Sequence, residues 1–148
     1  MAWSPETKLA VAPRFFRLAT GGSDNSLRIF SSDLSGQSDT LTVLKGHRDY
    51  INSVAFHPHE EGGQLVSGSD DHTVCLWDAQ TGQRLNVITF DHPVMSVIWH
   101  PEEVSKLCVS FIKVYYLCYL RDFRNHCKLS SLGILVFFGL CRKYVHLS

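Results

Sequence analysis

Neither sign of charge dominates the 148 residues, in which 14 Lys plus Arg offset 14 Asp plus Glu. That balance argues against a basic chain drawn to nucleic acid by its net charge. Cysteine is scarce and odd in number: Cys75, Cys108, Cys118, Cys127 and Cys141 stand at irregular spacing. A fully paired disulfide framework is therefore excluded. The N-terminus also lacks the basic, apolar and small-residue succession of a secretory leader, so the sequence predicts a reducing, intracellular setting with free thiols. Long apolar runs are absent too. The longest uncharged one, Leu129 to Cys141, has 13 residues, well short of the roughly 20 a membrane-spanning helix needs.

The neutral total hides two unlike parts. Up to Ser110 there are 8 basic and 13 acidic residues; beyond it there are 6 basic residues and a single acid, Asp122. Hydrophobic residues, 45% of the whole, fill 23 of the last 38 positions. The C-terminal quarter is a different kind of sequence.

What is present is repetition. At an offset of 47, Leu18 to Phe30 aligns with Leu65 to Trp77, each reading as strand, tight acidic turn, strand. At an offset of 43, Ile51-Asn52-Ser53-Val54-Ala55-Phe56-His57-Pro58 aligns with Val94-Met95-Ser96-Val97-Ile98-Trp99-His100-Pro101, and Ala2-Trp3-Ser4-Pro5 echoes its end. Periods of about 40 to 50 residues built from short β-rich runs are the mark of propeller blades.

The middle copy predicts four strands, at about Tyr50 to Phe56, Gln64 to Gly68, Thr73 to Trp77 and Arg84 to Phe90, with Asp71 in the central turn. Val74-Cys75-Leu76-Trp77 is apolar on both faces instead of alternating, as a strand packed between two sheets requires.

Gly46-His47, followed thirty residues later by Trp77-Asp78, resembles a WD40 repeat, and the resemblance covers about residues 1 to 110. It implies an all-β fold: a partial, unclosed WD40 β-propeller, with an incomplete blade over 1–45, a complete one over 46–91 and a truncated one over 92–110. It also implies a structural tetrad of His47, Ser67, Asp71 and Trp77, in which carboxylate holds imidazole, imidazole holds hydroxyl and hydroxyl meets the indole N–H. In the first copy only Thr20 and Asp24 match, because Phe30 stands where Trp is usual and carries no N–H.

Several strings go beyond the generic repeat. Ser-Asp-Leu at 32–34 after an aromatic-ended strand, Gly46-His47-Arg48-Asp49-Tyr50-Ile51-Asn52, and Met95-Ser96-Val97-Ile98-Trp99-His100-Pro101-Glu102-Glu103 resemble the small WD-repeat nucleoporins of the nuclear pore's Y-shaped outer ring. That resemblance implies a non-enzymatic scaffold at the nuclear envelope, serving pore assembly and nucleocytoplasmic transport. Its partners would be other nucleoporins, among them a large solenoid nucleoporin, and its mitotic address the kinetochore. No cofactor, direct nucleic-acid contact or membrane insertion is implied. The alternative is a generic WD40 adaptor, such as a ubiquitin-ligase substrate receptor or peptide reader, which works through the central face of a closed ring.

The pattern stops after Lys106 to Val109: Phe111 to Leu120 has no turn residue, and the rest has no blade spacing. The sequence therefore predicts a non-repeat tail over 111–148, foreign to the propeller. The smallest closed ring needs roughly 160 residues, so about 110 predict an open wedge with bare sheet faces and edges.

Other constellations have plainer readings. His57 and His59, with Glu60-Glu61, lack the helical His-Glu-x-x-His spacing of a metal site and sit in a loop. Asp70-Asp71 are adjacent in a turn and diverge, which suits turn chemistry better than paired acid–base work. Gly21-Gly22 and Gly62-Gly63 neither open a helix nor precede a Lys-Ser/Thr pair, so they cradle no phosphate. No nucleophile elbow surrounds any serine or cysteine. The tail's basic and aromatic residues, Tyr115, Tyr116, Tyr119 and Phe123 among them, suit an anionic surface in type, but show no clean helical stripe. The sequence thus predicts no catalytic, cofactor-binding or metal-ligating residue.

Overall fold

The computed structural model describes residues 1–10, 12–35, 39–59, 63–100, 106–112, 115–119 and 127–129. Their strands form three four-stranded antiparallel sheets in chain order. The first comprises β1 (Ala2–Trp3), β2 (Phe16–Gly21), β3 (Ser26–Ser32) and β4 (Thr40–Lys45). In the second are β5 (Ile51–Phe56), β6 (Gln64–Ser69), β7 (Thr73–Asp78) and β8 (Arg84–Thr89). The third holds β9 (Ser96–Trp99), β10 (Lys106–Ser110), β11 (Tyr115–Tyr119) and β12 (Cys127–Leu129). Each strand pairs with its sequence neighbour, the meander of a propeller blade. No helix occurs among the described residues, and the sheets do not close into a ring.

The turns explain the meander locally. Asn25 and His72, at the same place in the first two copies, take the left-handed backbone with φ of 61° and 68°. Asn and His tolerate that region better than most residues. Each follows an Asp whose Oδ1 accepts the N–H two residues on, from Ser26 at 3.3 Å and from Thr73 at 2.9 Å. Such Asx turns fold the chain back with no glycine required.

Packing follows from the two-faced strands. Leu65, Cys75 and Trp77 of the second sheet join Ala19, Leu27, Ile29 and Leu44 of the first in one buried cluster. Val66, Val74 and Leu76, the alternate positions of the same strands, join Val97, Trp99, Leu107 and Val109 of the third in another. The middle sheet is thus buried on both faces, each side chain excluding water from a different junction. Polar groups cross the second junction as well. The Ser53 hydroxyl accepts the Val97 N–H at 3.1 Å, and the Trp99 indole N–H donates to the Ala55 carbonyl at 3.1 Å. A Cβ at Gly68 would stand 2.5 Å from Val94 Cγ1, so glycine there lets the second sheet meet the chain entering the third.

The third sheet runs past residue 110, where the repeat spacing ends. β10 pairs with β11 over five residues, Lys106↔Tyr119 to Ser110↔Tyr115, and β11 pairs with β12 over three, including Cys118↔Cys127. Phe123, Glu60-Glu61, Gly62, Glu102-Glu103 and residues 130–148 lie outside the described residues.

Candidate functional site

His47 leaves β4 just after Gly46; Ser67 lies on β6, Asp71 in the β6–β7 turn and Trp77 on β7. The β6–β7 register sets Ser67 opposite Cys75, so Trp77 sits diagonally across the ladder, on the same face and within reach. One hydrogen-bonded chain joins the four. The Trp77 Nε1–H donates to Ser67 Oγ at 2.8 Å, and Ser67 Oγ lies 2.7 Å from His47 Nε2. His47 Nδ1 is 2.9 Å from Asp71 Oδ2. If the imidazole proton is on Nδ1, the hydroxyl donates to Nε2 and every buried donor meets an acceptor.

Gly46 makes room for this arrangement. A Cβ there would stand 2.9 Å from the outer edge of the Trp77 indole, which gives the Gly-His pair a steric reason. The His47 side chain is fully covered and that of Asp71 is 8% exposed.

Asp71 does more than hold the imidazole. Its Oδ2 also accepts the Arg48 N–H at 2.9 Å, and its Oδ1 accepts the Thr73 hydroxyl at 2.6 Å and the Thr73 N–H at 2.9 Å. Burial by itself raises this carboxyl, but the bonds from Thr73, Arg48 and His47 outweigh it and hold the group at about 2. Burial also pushes the Cys75 thiol up, which leaves it a small hydrophobe between the sheets.

Thr73 and Arg48 are members of the network that the four-residue pattern omits. A signal for Thr73 exists in the sequence: a hydroxyl two residues after the turn Asp recurs as Asp24 and Ser26 in the first copy. The Arg48 contribution is a main-chain N–H, which no residue type announces.

Ser67, His47 and Asp71 share the connectivity of a hydrolytic triad, yet the surroundings differ in kind. A nucleophile must approach a substrate carbonyl and find oxyanion donors there. Ser67 is fully buried, and its oxygen is engaged by indole on one side and imidazole on the other. The arrangement can fix strands; it cannot attack.

In the first sheet no hydrogen bond runs directly between Thr20 and Asp24, just as Ser67 and Asp71 of the second are joined only through His47. Asp24 turns outward to Arg28, with Nη1 to Oδ1 at 3.0 Å and Nη2 to Oδ2 at 2.6 Å. That guanidinium lowers the Asp24 carboxyl to about 2. At the place of Arg28 the second copy carries Cys75, so the arginine redirects the carboxylate that the family pattern assigns inward.

The loop histidines are structural in placement. His57 is buried, with its ring edge-on to Trp99 at a centroid distance of 4.4 Å, and its Nδ1 accepts the His59 N–H at 3.3 Å. Among the described residues no three His, Cys, Asp or Glu side chains converge as metal ligands, and no helix there is long and apolar enough to cross a membrane.

Residues 38–78 match the family profile of the WD domain, G-beta repeat, the span that holds the hydrogen-bonded network. The chain carries a WD40 repeat. Mouse Nucleoporin Nup37 is 44% identical to it over 110 residues, covering 74% of this chain and 33% of that protein. The human Nucleoporin Nup37 is 42% identical over the same length and shares. The chain therefore spans about a third of the curated relatives it matches. Among solved structures, the Cps50 (Swd1) β-propeller domain from Myceliophteria thermophila superposes with a TM-score of 0.65 at 24% identity, over 76% of this chain and 35% of that one. That likeness shows the fold of a β-propeller, of which this chain spans a part.

Proposed function

We propose that this chain is a non-enzymatic scaffold module of the nuclear pore's Y-shaped outer ring, supporting pore assembly and the transport of protein and messenger RNA. The reading rests on one observation: its likeness to Nucleoporin Nup37 extends over 110 residues at 42–44% identity, far beyond the 38–78 segment that matches the generic repeat. A nucleoporin identity sets the address at the nuclear envelope, with other nucleoporins as partners and the kinetochore as the mitotic location. Within this reading residues 1–110 form the working propeller segment, and the tetrad of His47, Ser67, Asp71 and Trp77 is its internal brace, not its contact surface.

The test is proximity labelling from the tagged chain in dividing cells, with imaging of the same tag. Recovery of outer-ring nucleoporins and a nuclear rim signal are expected. Enrichment of ubiquitin-ligase subunits with a diffuse signal would replace the scaffold by the adaptor reading.

A further inference from the structure

A cleft opens where the chain leaving β4 crosses the outer strands of the second sheet. Its volume is about 340 Å³, and Gly46, Arg48, Thr73, Arg84, Val87 and Thr89 line it together with the shielded Asp71. That size stands at the low end of the roughly 300–1,000 Å³ of ligand sites, room for one side chain.

A bulge aims one of the arginines. Register pairs Thr73 with Thr89, Cys75 with Val87 and Leu76 with Asn86, then shifts so that Trp77 meets Arg84 and not Leu85. The shift brings Arg84 to the face that already carries Val87 and Thr89. Bulges re-aim side chains in this way and are frequent beside functional sites. Gly46 completes the seat, because a Cβ there would stand 3.0 Å from Arg84 Nη1.

The two cations have no counter-ion within the described residues. Arg17 lies 3.1 Å from Glu6 and Arg28 2.6 Å from Asp24, whereas Arg48 and Arg84 form no ion pair there. Arg84 makes one long bond, from Nη1–H to the Gly46 carbonyl at 3.4 Å, and a guanidinium carries five N–H donors. Asp71 does not serve as their counter-ion, because both its oxygens are already bonded to Thr73, the Arg48 main chain and His47.

We infer that this cleft docks a carboxylate side chain from an acidic segment of a partner protein. Arg48 and Arg84 bring two positive charges and Asp71 one negative, so a single carboxylate neutralises the cleft. A phosphate dianion would leave negative charge in excess beside Asp71. The guanidinium fork matches the two oxygens of a carboxylate. Val87, 38% exposed, gives an apolar wall to the methylenes of a Glu, and the exposed Thr89 adds a hydroxyl donor. This goes beyond the scaffold reading and does not rest on it, since the site is tested on the purified chain whatever its address in cells.

The test is titration of the full chain with short alanine peptides that differ only in a central Glu, Gln or phosphoserine, followed through the Gly46 and Thr89 amide resonances. Saturating shifts are expected with the Glu peptide, none with the Gln peptide and weaker binding with the phosphoserine peptide at equal ionic strength. Arg84→Gln should weaken the Glu peptide about tenfold, the order of one hydrogen bond to a charged group; Arg84→Lys, which keeps the charge but loses the fork, should weaken it less. Arg48→Gln repeats the loss without touching the packing beside Trp77, so a folding defect in Arg84→Gln leaves the test intact. Arg28→Gln, on the first sheet, leaves the affinity unchanged. Equal binding of the Gln peptide, tighter binding of the phosphoserine peptide, or Glu-peptide affinity that survives Arg48→Gln would each overturn the inference.

Discussion

Ser67→Ala is the sharpest probe of the internal brace. The substitution removes one oxygen and adds no bulk, so at a site without partners it would be nearly neutral. Here it strands two groups at once. Trp77 Nε1–H loses its acceptor at 2.8 Å, and His47 Nε2 loses its partner at 2.7 Å, both where water does not reach. Leaving one buried polar group unsatisfied costs about 1–3 kcal/mol, so the pair predicts a loss of about 2–6 kcal/mol. Hydrogen exchange of the full chain reads this locally, as faster exchange of the β6 and β7 amides than of those in β2 and β3. A double-mutant cycle separates the network from simple packing. With Trp77→Phe already in place the indole N–H is gone, so adding Ser67→Ala then costs less than it does alone, by the roughly 0.5–3 kcal/mol typical of coupled neighbours. Ser67→Ala within about 0.5 kcal/mol of wild type, or strictly additive costs, would refute the brace.

The Asp71 carboxyl is held at about 2, below its ordinary value near 3.9. Its contribution is therefore complete above that ordinary value and fades as pH falls toward 2; the protection of the β6–β7 amides relative to their intrinsic exchange across this window should fall in wild type and stay flat in Asp71→Asn. Gly68→Ala drives a methyl against Val94 at 2.5 Å and should destabilise the junction between second and third sheets by about 1–3 kcal/mol, measured as faster exchange in β9 and β10. Arg28→Ala breaks the exposed pair with Asp24, and thermal unfolding should not move, because solvent-exposed ion pairs contribute little.

The strands of the middle sheet were legible because two independent signals coincide there. Turn residues mark both ends of each strand, and Val74-Cys75-Leu76-Trp77 is apolar at consecutive positions, which leaves a strand between two layers as the economical reading. β5 to β8 accordingly begin and end within a residue of the positions expected from sequence. The site was legible in part. Side-chain types at repeat spacing located His47, Ser67, Asp71 and Trp77, whereas the Arg48 main-chain N–H on Asp71 has no sequence mark. Asp24 shares its position relative to the turn with Asp71, but its carboxylate pairs with Arg28, four residues on and across the turn. β11 was illegible because no turn residue separates it from β10, and its place is set by ladder pairing with β10, as that of β12 is by pairing with β11.

The brace and the junctions are one device seen from two sides. Trp77 closes the hydrogen-bonded chain through its N–H while its ring lies in the cluster that seals the second sheet to the first. Trp99 repeats the logic one sheet later, its N–H on the Ala55 carbonyl and its ring in the next cluster. In each case the polar end fixes where a large apolar plate sits, and the plate then defines what the neighbouring sheet must offer. Trp3 is the same plate at the start of the series, half exposed, with Phe30 beside it where the second sheet has Trp77. Indole N–H groups are rarely left without an acceptor once buried, so whatever covers the first sheet must present a carbonyl beside a small or aliphatic side chain.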